Sequence, residues 1–341
     1  MHPKQSKKPK VAVVLSTYNG ETFLREQLYS IDAQQYDNWD LWIRDDGSTD
    51  ATLDIIRAYQ KDAESREGHR RIMVLEGSNV GVVNSFLTLL TGIPDDYNIF
   101  AFCDQDDIWL PEKLDRAVGA YIHYRVRKDP ETGPWLYHSR QIIMDETGQS
   151  HGMSVLPRRT GFDNAIIQNQ VVGCSMVIDD KLKNLLIKGL DVGKDEKSQS
   201  KHTPRPEGII MHDWWCYLTA SQFGVMVFDD RPVIRYRRHD TSKTPVSVSP
   251  IRAWINRMIA MRSKKWNIRH IIDQVELFYH CYCRDGRETV HGCHKESLLS
   301  LIQLKEAGIR TRLQYVLRTG HHRSTALETL LFRLLILFKR Y

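Results

Sequence analysis

The chain has 341 residues, 41% hydrophobic and 26% charged, with 48 Lys and Arg against 42 Asp and Glu for a formal net charge of +6. These proportions are ordinary for a globular protein with a sizeable core, and they exclude a chain disordered along its length. The modest positive charge is compatible with phosphate, anionic lipid or nucleic acid partners and selects none of them.

The opening MHPKQSKKPK is basic and leads into no apolar signal segment, and no run of about 18 apolar residues predicts a transmembrane helix. Residues 1–9 are expected to form a basic disordered tail. The six cysteines are scattered, three of them in apolar or aromatic stretches, which reads as a reduced intracellular protein. The expected location is the cytoplasm or the inner face of the plasma membrane.

In chain order, Val11–Ser16 is a short β-branched apolar run, the signature of a strand covered on both faces in a parallel sheet. Thr17-Tyr18-Asn19-Gly20 is turn chemistry, and Phe23, Leu24, Gln27, Leu28 and Ile31 follow at helical spacing. Trp39–Arg44 predicts a second strand ending in Asp45-Asp46-Gly47-Ser48, and Leu53, Ile55, Ile56 and Tyr59 predict a helix capped by Ser48 or Asp50. Ile72–Leu75 is a third strand, Phe86–Leu90 lies in a helix, and Ile99–Cys103 is a fourth strand. Strands alternating with helices predict a doubly wound, Rossmann-like α/β domain.

Each polar cluster follows a strand, where ligands bind in such folds. Thr17–Asn19, Asp45–Asp46 and Asp104–Asp107 should therefore converge in one crevice. Trp135 to Ile178 reads as shorter strands and loops, and Lys194–Glu207 as a mobile loop. From about Pro250 the chain reads as mostly helical. The boundaries expected are 10–248 for the α/β domain and 249–341 for a C-terminal helical region.

Four constellations carry chemistry. Asp104, Asp106 and Asp107 after a strand suit a hard cation such as Mg2+ or Mn2+ that also takes substrate phosphates, with Asp106 the best ligand. Against this stands a capped helix start, the expected role of Asp107. Asp45 and Asp46 can accept hydrogen bonds from a base or ribose, or can simply form an Asx turn. Asp213, beside Trp214 and Trp215, would be raised toward a useful general base by desolvation, with the indoles either a wall against sugar rings or core residues.

Arg235-Tyr236-Arg237-Arg238-His239 is a cation run in which alternation would put Arg235, Arg237 and His239 on one phosphate-gripping face; the alternative is a solvated basic edge strand. The residues His280, Cys281, Cys283, His291, Cys293 and His294 match no standard zinc module, so a helix end and loop are expected there.

Together, VVLSTYNGETFLREQLYSI, IRDDGSTDATLDII, NVGVVNSFLTLL, FCDQDDIWLPEKL, VVGCSMVI, MHDWW and YRRH resemble, in order, the motifs of the inverting glycosyltransferases of family 2, with the GT-A fold. The resemblance runs from about Lys10 to about Thr244. The combination of DQDDIW, HDWW and Tyr-Arg-x-His is most similar to the rhamnosyltransferase-like subgroup that builds bacterial O-antigen or capsule.

It implies that Thr17, Tyr18 and Asn19 line a nucleotide pocket, that Asp46 contacts the base with Asp45 supporting it, and that Asp104 lies near the ribose. Asp106 would bind the metal bridging the diphosphate, with Arg237 and His239 on the phosphate or metal side. Asp213 would deprotonate the acceptor, with Trp214, Trp215 and Cys174 on the acceptor side. One departure is His212, where the family usually has an acid.

The implied donor is a nucleotide-diphospho-sugar, dTDP-rhamnose first and a UDP- or GDP-hexose as the alternative. The implied acceptor is a lipid-linked glycan. A non-catalytic nucleotide-binding module is the other reading. The C-terminal LETLLFRLLILFKRY predicts a short apolar helix for peripheral membrane contact, for packing, or for a homodimer interface. Dispersed basic residues without a motif argue against nucleic acid.

Overall fold

The computed structural model describes residues 8–65, 70–127, 133–192, 208–238, 268–283 and 294–339. Strands β1 (Val11–Thr17), β2 (Trp39–Asp45), β3 (Ile72–Glu76) and β4 (Ile99–Cys103) are parallel, in spatial order β3-β2-β1-β4. They alternate with helices α1 (Leu24–Asp32), α2 (Thr52–Glu64) and α3 (Val82–Gly92). The predicted α/β half thus forms within a residue or two of its expected bounds.

The sheet continues through β8 (Val177–Asp179), β6 (Trp135–Met144), β9 (Val225–Arg237) and β5 (Ile108–Trp109), with β7 (Ser150–Met153) paired to β6. These strands mix directions: β8 runs antiparallel to β4 and β6, whereas β6 and β9 are parallel. Around them lie α4 (Lys113–Arg127), α5 (Phe162–Ala165), a 3-10 turn at Gly173–Ser175, α6 (Asp180–Val192) and α7 (His212–Phe223).

Strand periodicity divides the core in two. Ala12 and Val14 of β1 face Phe86, Phe100 and Phe102 on one side, and Val11, Val13 and Leu15 face Leu24, Leu28 and Ile56 on the other. A strand buried on both faces needs apolar residues at every position, which is why these runs show no polar alternation. Pairing Thr17 with Asp45, and Leu15 with Cys103, ends β1, β2 and β4 at nearly one level. The polar residues that follow therefore emerge along one edge.

Helices α8 (Ile268–Tyr282), α9 (Lys295–Ile302), α10 (Ile309–Arg318) and α11 (Ala326–Leu337) make up the described C-terminal part. Phe278 and Tyr282 pack against Trp215 and Phe223, joining these helices to the α/β core. Among the described residues no helix is long and apolar enough to cross a membrane.

Several expectations are corrected. Ser48 does not cap α2, and Ala51 at its N-cap makes no side-chain bond; Asp50, one residue earlier, accepts the N–H and O–H of Thr52, the first helical residue. Asp107 caps no helix, because β5 intervenes before α4 begins at Lys113. Strand β9 is no edge, since β6 and β5 flank it. Cys283 is disulfide-bonded, unlike the free, buried Cys103, Cys174, Cys216 and Cys281, so the reading of six reduced thiols does not hold. The Lys194–Glu207 loop, His239, His291 and Cys293 lie outside the described residues.

Candidate active site

At the carboxyl ends of β1 and β2, two buried aspartates organise the loops. Asp45 accepts the hydroxyls of Thr17 at 3.0 Å and Ser48 at 2.5 Å, and the N–H groups of Gly47 and Ser48 at 3.1 and 2.8 Å. Asp46 pairs with Arg44 and accepts the N–H groups of Val80 and Gly81 at 2.9 and 2.8 Å. Arg44 also reaches the Ser78 carbonyl and the Ser85 hydroxyl.

Thr17, Asp45 and Asp46 are 1–2% exposed. Their side chains are committed to holding strand ends and loops together, so the expected contact of the Asp46 carboxylate with a base does not fit this arrangement. Tyr18, 46% exposed, and Asn19, also exposed, are the members of this group that face outward. Asn19 takes a left-handed backbone (φ 47°) and accepts the Thr49 N–H at 2.8 Å.

Gln105 is a structural pin. Its amide oxygen accepts the Tyr18 N–H at 2.8 Å and its amide N–H donates to the Tyr18 carbonyl at 3.0 Å. The side chain thus pairs with one backbone residue as a neighbouring strand would. A Cβ at Gly20 would run into the Gln105 amide, so a larger residue there would displace this pin. This pin joins the turn after β1 to the acidic loop after β4.

In the acidic loop Asp104 and Asp106 are half-buried and Asp107 is fully buried. Among the described residues, ligand atoms of Asp104, Asp107 and Cys174 lie within 4.8 Å of one another. Asp106, the expected ligand, is outside that trio. Burial, with Asp106 and Asp104 adding repulsion, pushes the Asp107 carboxyl well above its usual range. A carboxyl so disposed is an interior acid of the loop rather than an open ligand.

Arg237 lies against this loop. Its N–H donates to Asp107 at 3.0 Å and its Nε–H to the Asp106 carbonyl at 2.9 Å. The remaining donors meet the Glu146 carbonyl at 2.8 Å and the Glu26 carboxylate at 2.5 Å, and the guanidinium stacks over Phe23. It is 2% exposed. The expected phosphate-gripping face does not form, because Arg235 is exposed while Arg237 is buried. Two register shifts between β6 and β9 interrupt the simple alternation.

Lys113 is a buried cation that the sequence reading missed. Its ammonium donates to the Cys174 carbonyl at 2.6 Å and sits 3.4 Å from the Trp109 ring centroid. Burial lowers it to about 8, against the opposing pull of Cys103, Cys174, Asp107 and Asp104. Nothing in its helical context distinguishes it from a solvated lysine.

Asp213 stands in the first turn of α7. Its carboxylate accepts the N–H groups of Trp214 at 2.7 Å and Gly173 at 3.1 Å. Burial raises it to about 7, the two backbone donors opposing that rise. Gly173 is tight: a Cβ there would meet His212 Nε2 at 2.9 Å. The next residue is Cys174, of the Asp104–Asp107 trio. One short turn therefore separates the raised carboxyl from the acidic loop.

The neighbouring aromatics do not line a sugar site. Trp214 and Trp215 are 2% and 0% exposed, and the Trp214 indole donates to the Ala165 carbonyl at 2.6 Å. Cys174 is likewise fully buried. His212 packs on Phe86 and Phe102, with ring centroids 4.3 and 5.6 Å away. These side chains are packed within the core, and their burial does not fit the expected wall of indoles.

The "Glycosyl transferase family 2" model matches residues 12–176, a span that holds Thr17 to Cys174 of this site and leaves out His212–Trp215, Arg235 and Arg237. The dTDP-rhamnosyl transferase RfbG of Shigella flexneri is 27% identical over 258 residues, covering 73% of this chain and 80% of that protein. The putative glycosyltransferase EpsE of Bacillus subtilis (strain 168) is 32% identical over 149 residues, 44% of this chain and 49% of EpsE. Among solved structures, S. aureus TarS 1-349 in complex with UDP-GlcNAc aligns with a TM-score of 0.48 at 15% identity, over 89% of this chain and 83% of TarS 1-349.

Proposed function

The chain belongs to glycosyl transferase family 2 through residues 12–176, and on that premise we propose that it is an inverting, metal-dependent transferase. It moves a sugar from a nucleotide-diphospho-sugar to a hydroxyl of a growing, lipid-linked bacterial surface glycan. The observation that carries this reading is the Gly173-Cys174 turn, with Asp213 hydrogen-bonded to one residue and the Asp104–Asp107 cluster against the other. A carboxyl raised to about 7 beside a carboxylate-rich strand end is a base poised next to a site for a charged donor.

The half-buried carboxylates of Asp104 and Asp106 are oxygen donors suited to Mg2+ or Mn2+, which when bound neutralises charge on the departing diphosphate. Asp213 accepts the proton of the acceptor hydroxyl. The hydroxyl oxygen bonds to the anomeric carbon as the bond to the diphosphate oxygen breaks on the opposite face, inverting the configuration. Arg237 holds the acidic loop in place instead of gripping phosphate, and Tyr18 lines the nucleotide side.

Similarity to RfbG supports dTDP-rhamnose as the donor. The test is a panel of dTDP-, UDP- and GDP-sugars with Mn2+ and a polyprenyl-diphosphate-linked saccharide, scored for nucleoside diphosphate release. Release with dTDP-rhamnose alone is expected. Release with a UDP- or GDP-hexose replaces the donor and keeps the mechanism. A panel silent throughout, with nucleotide still bound, makes the chain a non-catalytic nucleotide-binding module.

A further inference from the structure

Among the described residues fourteen large hydrophobic side chains are exposed, and eight of them lie between Leu299 and Phe338. On α11, Leu327, Leu330, Leu334 and Phe338 are 53%, 54%, 37% and 65% exposed. Their spacing of three and four residues sets them on one stripe, while Phe332 and Ile336 turn inward and are buried. On α10, Ile309, Leu313 and Leu317 repeat every four residues and are 56%, 46% and 74% exposed. Isolated exposed leucines are ordinary, but a clustered set on two adjoining helices marks an interaction surface.

The two helices form one unit. The Arg312 guanidinium donates to the Leu337 carbonyl at 2.7 Å, and Arg333 donates to the Thr319 carbonyl at 2.8 Å. A capping box at Thr325 and Glu328 starts α11. The unit is anchored next to the active site: Arg323 donates to the Ile167 carbonyl at 3.1 Å and the Ser324 N–H to Gln168 at 2.7 Å. Those partners lie shortly before Gly173.

Charge identifies the occupant. Between Ile309 and Lys339 there are six Arg and Lys and one acid, Glu328. That acid is buried in its cap, so within this segment no exposed carboxylate accompanies the exposed Arg310, Arg318 and Lys339, and the exposed Glu306 lies one turn before it. A second copy of the chain docked by a two-fold axis would set these cations against their own equivalents. A bilayer carrying anionic headgroups would satisfy them and bury the apolar stripes. At 10 and 12 residues the helices are about 15 and 18 Å long, well short of a hydrocarbon core of roughly 30 Å. They can lie in the interface but not cross it.

We propose that the α10–α11 hairpin is a docking surface for an anionic lipid bilayer, with its leucine and phenylalanine stripes at the acyl boundary and its cations among the headgroups. The proposal stands independently of sugar transfer and is read by a separate assay.

The full chain is sedimented with phosphatidylcholine vesicles, with and without phosphatidylglycerol. Wild type should partition at least about tenfold better onto the anionic vesicles. The variant Leu317→Ser/Leu334→Ser/Phe338→Ser should lose about tenfold or more on both kinds of vesicle. The variant Arg310→Gln/Arg318→Gln/Lys339→Gln should bind both kinds equally and weakly. Circular dichroism melts should overlay for all three proteins, because every substituted side chain is solvent-exposed. Equal sedimentation of wild type and both variants overturns the proposal. So does a wild-type dimer in lipid-free buffer that the triple serine variant makes monomeric, with no vesicle binding by either.

Discussion

Asp213 shows how one residue acquires a function from its surroundings. Burial pushes its carboxyl to about 7, and two backbone N–H groups keep ionisation within reach. As a base it works ionised, so kcat/KM should rise with pH through about 7 and level off above it. Asp213→Asn should cut turnover by roughly 10²–10⁴-fold, the usual contribution of a general base. Donor binding, measured by calorimetry, should survive. A pKa raised on folding stabilises the protein at low pH, and that contribution is lost as pH rises through about 7. The Asn variant escapes this loss, so urea unfolding should find it more stable than wild type by roughly 2 kcal/mol at pH 8 and no more stable at pH 4. Parallel pH trends would mean that Asp213 titrates as an ordinary surface acid. The sequence showed an acid beside two indoles; burial of all three is what sets the value.

At the scale of elements, the acidic loop is held by groups from distant parts of the chain: Gln105 on Tyr18, and Arg237 on Asp106, Asp107, Glu146 and Glu26. Arg237→Met keeps much of the volume and removes the donors. It should destabilise the fold by roughly 2–4 kcal/mol in urea, because Asp107 keeps its buried setting while the interior contacts of the guanidinium vanish. It should also weaken Mn2+ binding severalfold by loosening the loop. Unaltered Mn2+ affinity with unchanged stability would show that the clamp is dispensable.

The parallel strands and their helices were legible from apolar runs and turn residues. The face that each β9 residue presents was not, because bulges shift its register and two neighbouring strands bury what alternation would expose. The structural role of Gln105 was hidden for a related reason: an amide is a poor metal ligand, yet it is well matched to a backbone peptide once the turn after β1 lies beside it.

Across the molecule, the C-terminal helices are tied to α5 of the α/β core by a largely buried hydrogen-bond chain. Ser297 reaches both Asp163 and His321, at 3.2 and 2.7 Å, and His321 meets the Tyr315 hydroxyl at 2.8 Å. Burial lowers His321 to about 4, so the folded protein keeps it neutral where the unfolded chain, with an ordinary value of 6.5, takes up a proton. Stability should therefore fall as pH drops from about 6.5 to 4, and the equally buried His138 adds a second such loss. His321→Gln should reduce that pH slope by up to about 1.4 kcal/mol per pH unit in urea unfolding at pH 4.5 to 6.5. An unchanged slope would mean that the imidazole is solvated.

By itself the sequence determined the alternating α/β order and the strand ends at which acids collect. These follow from local periodicity and from the rule that ligands meet the carboxyl ends of parallel strands. The tertiary structure alone decided which acids remain open and which are buried. It turned Asp45, Asp46 and Arg237 inward, brought Lys113 beneath Cys174, sank both tryptophans, and left the leucines of α10 and α11 uncovered. Exposure and hydrogen-bond partners depend on residues far away in the chain, and no pattern in a short stretch of sequence records which neighbour will arrive.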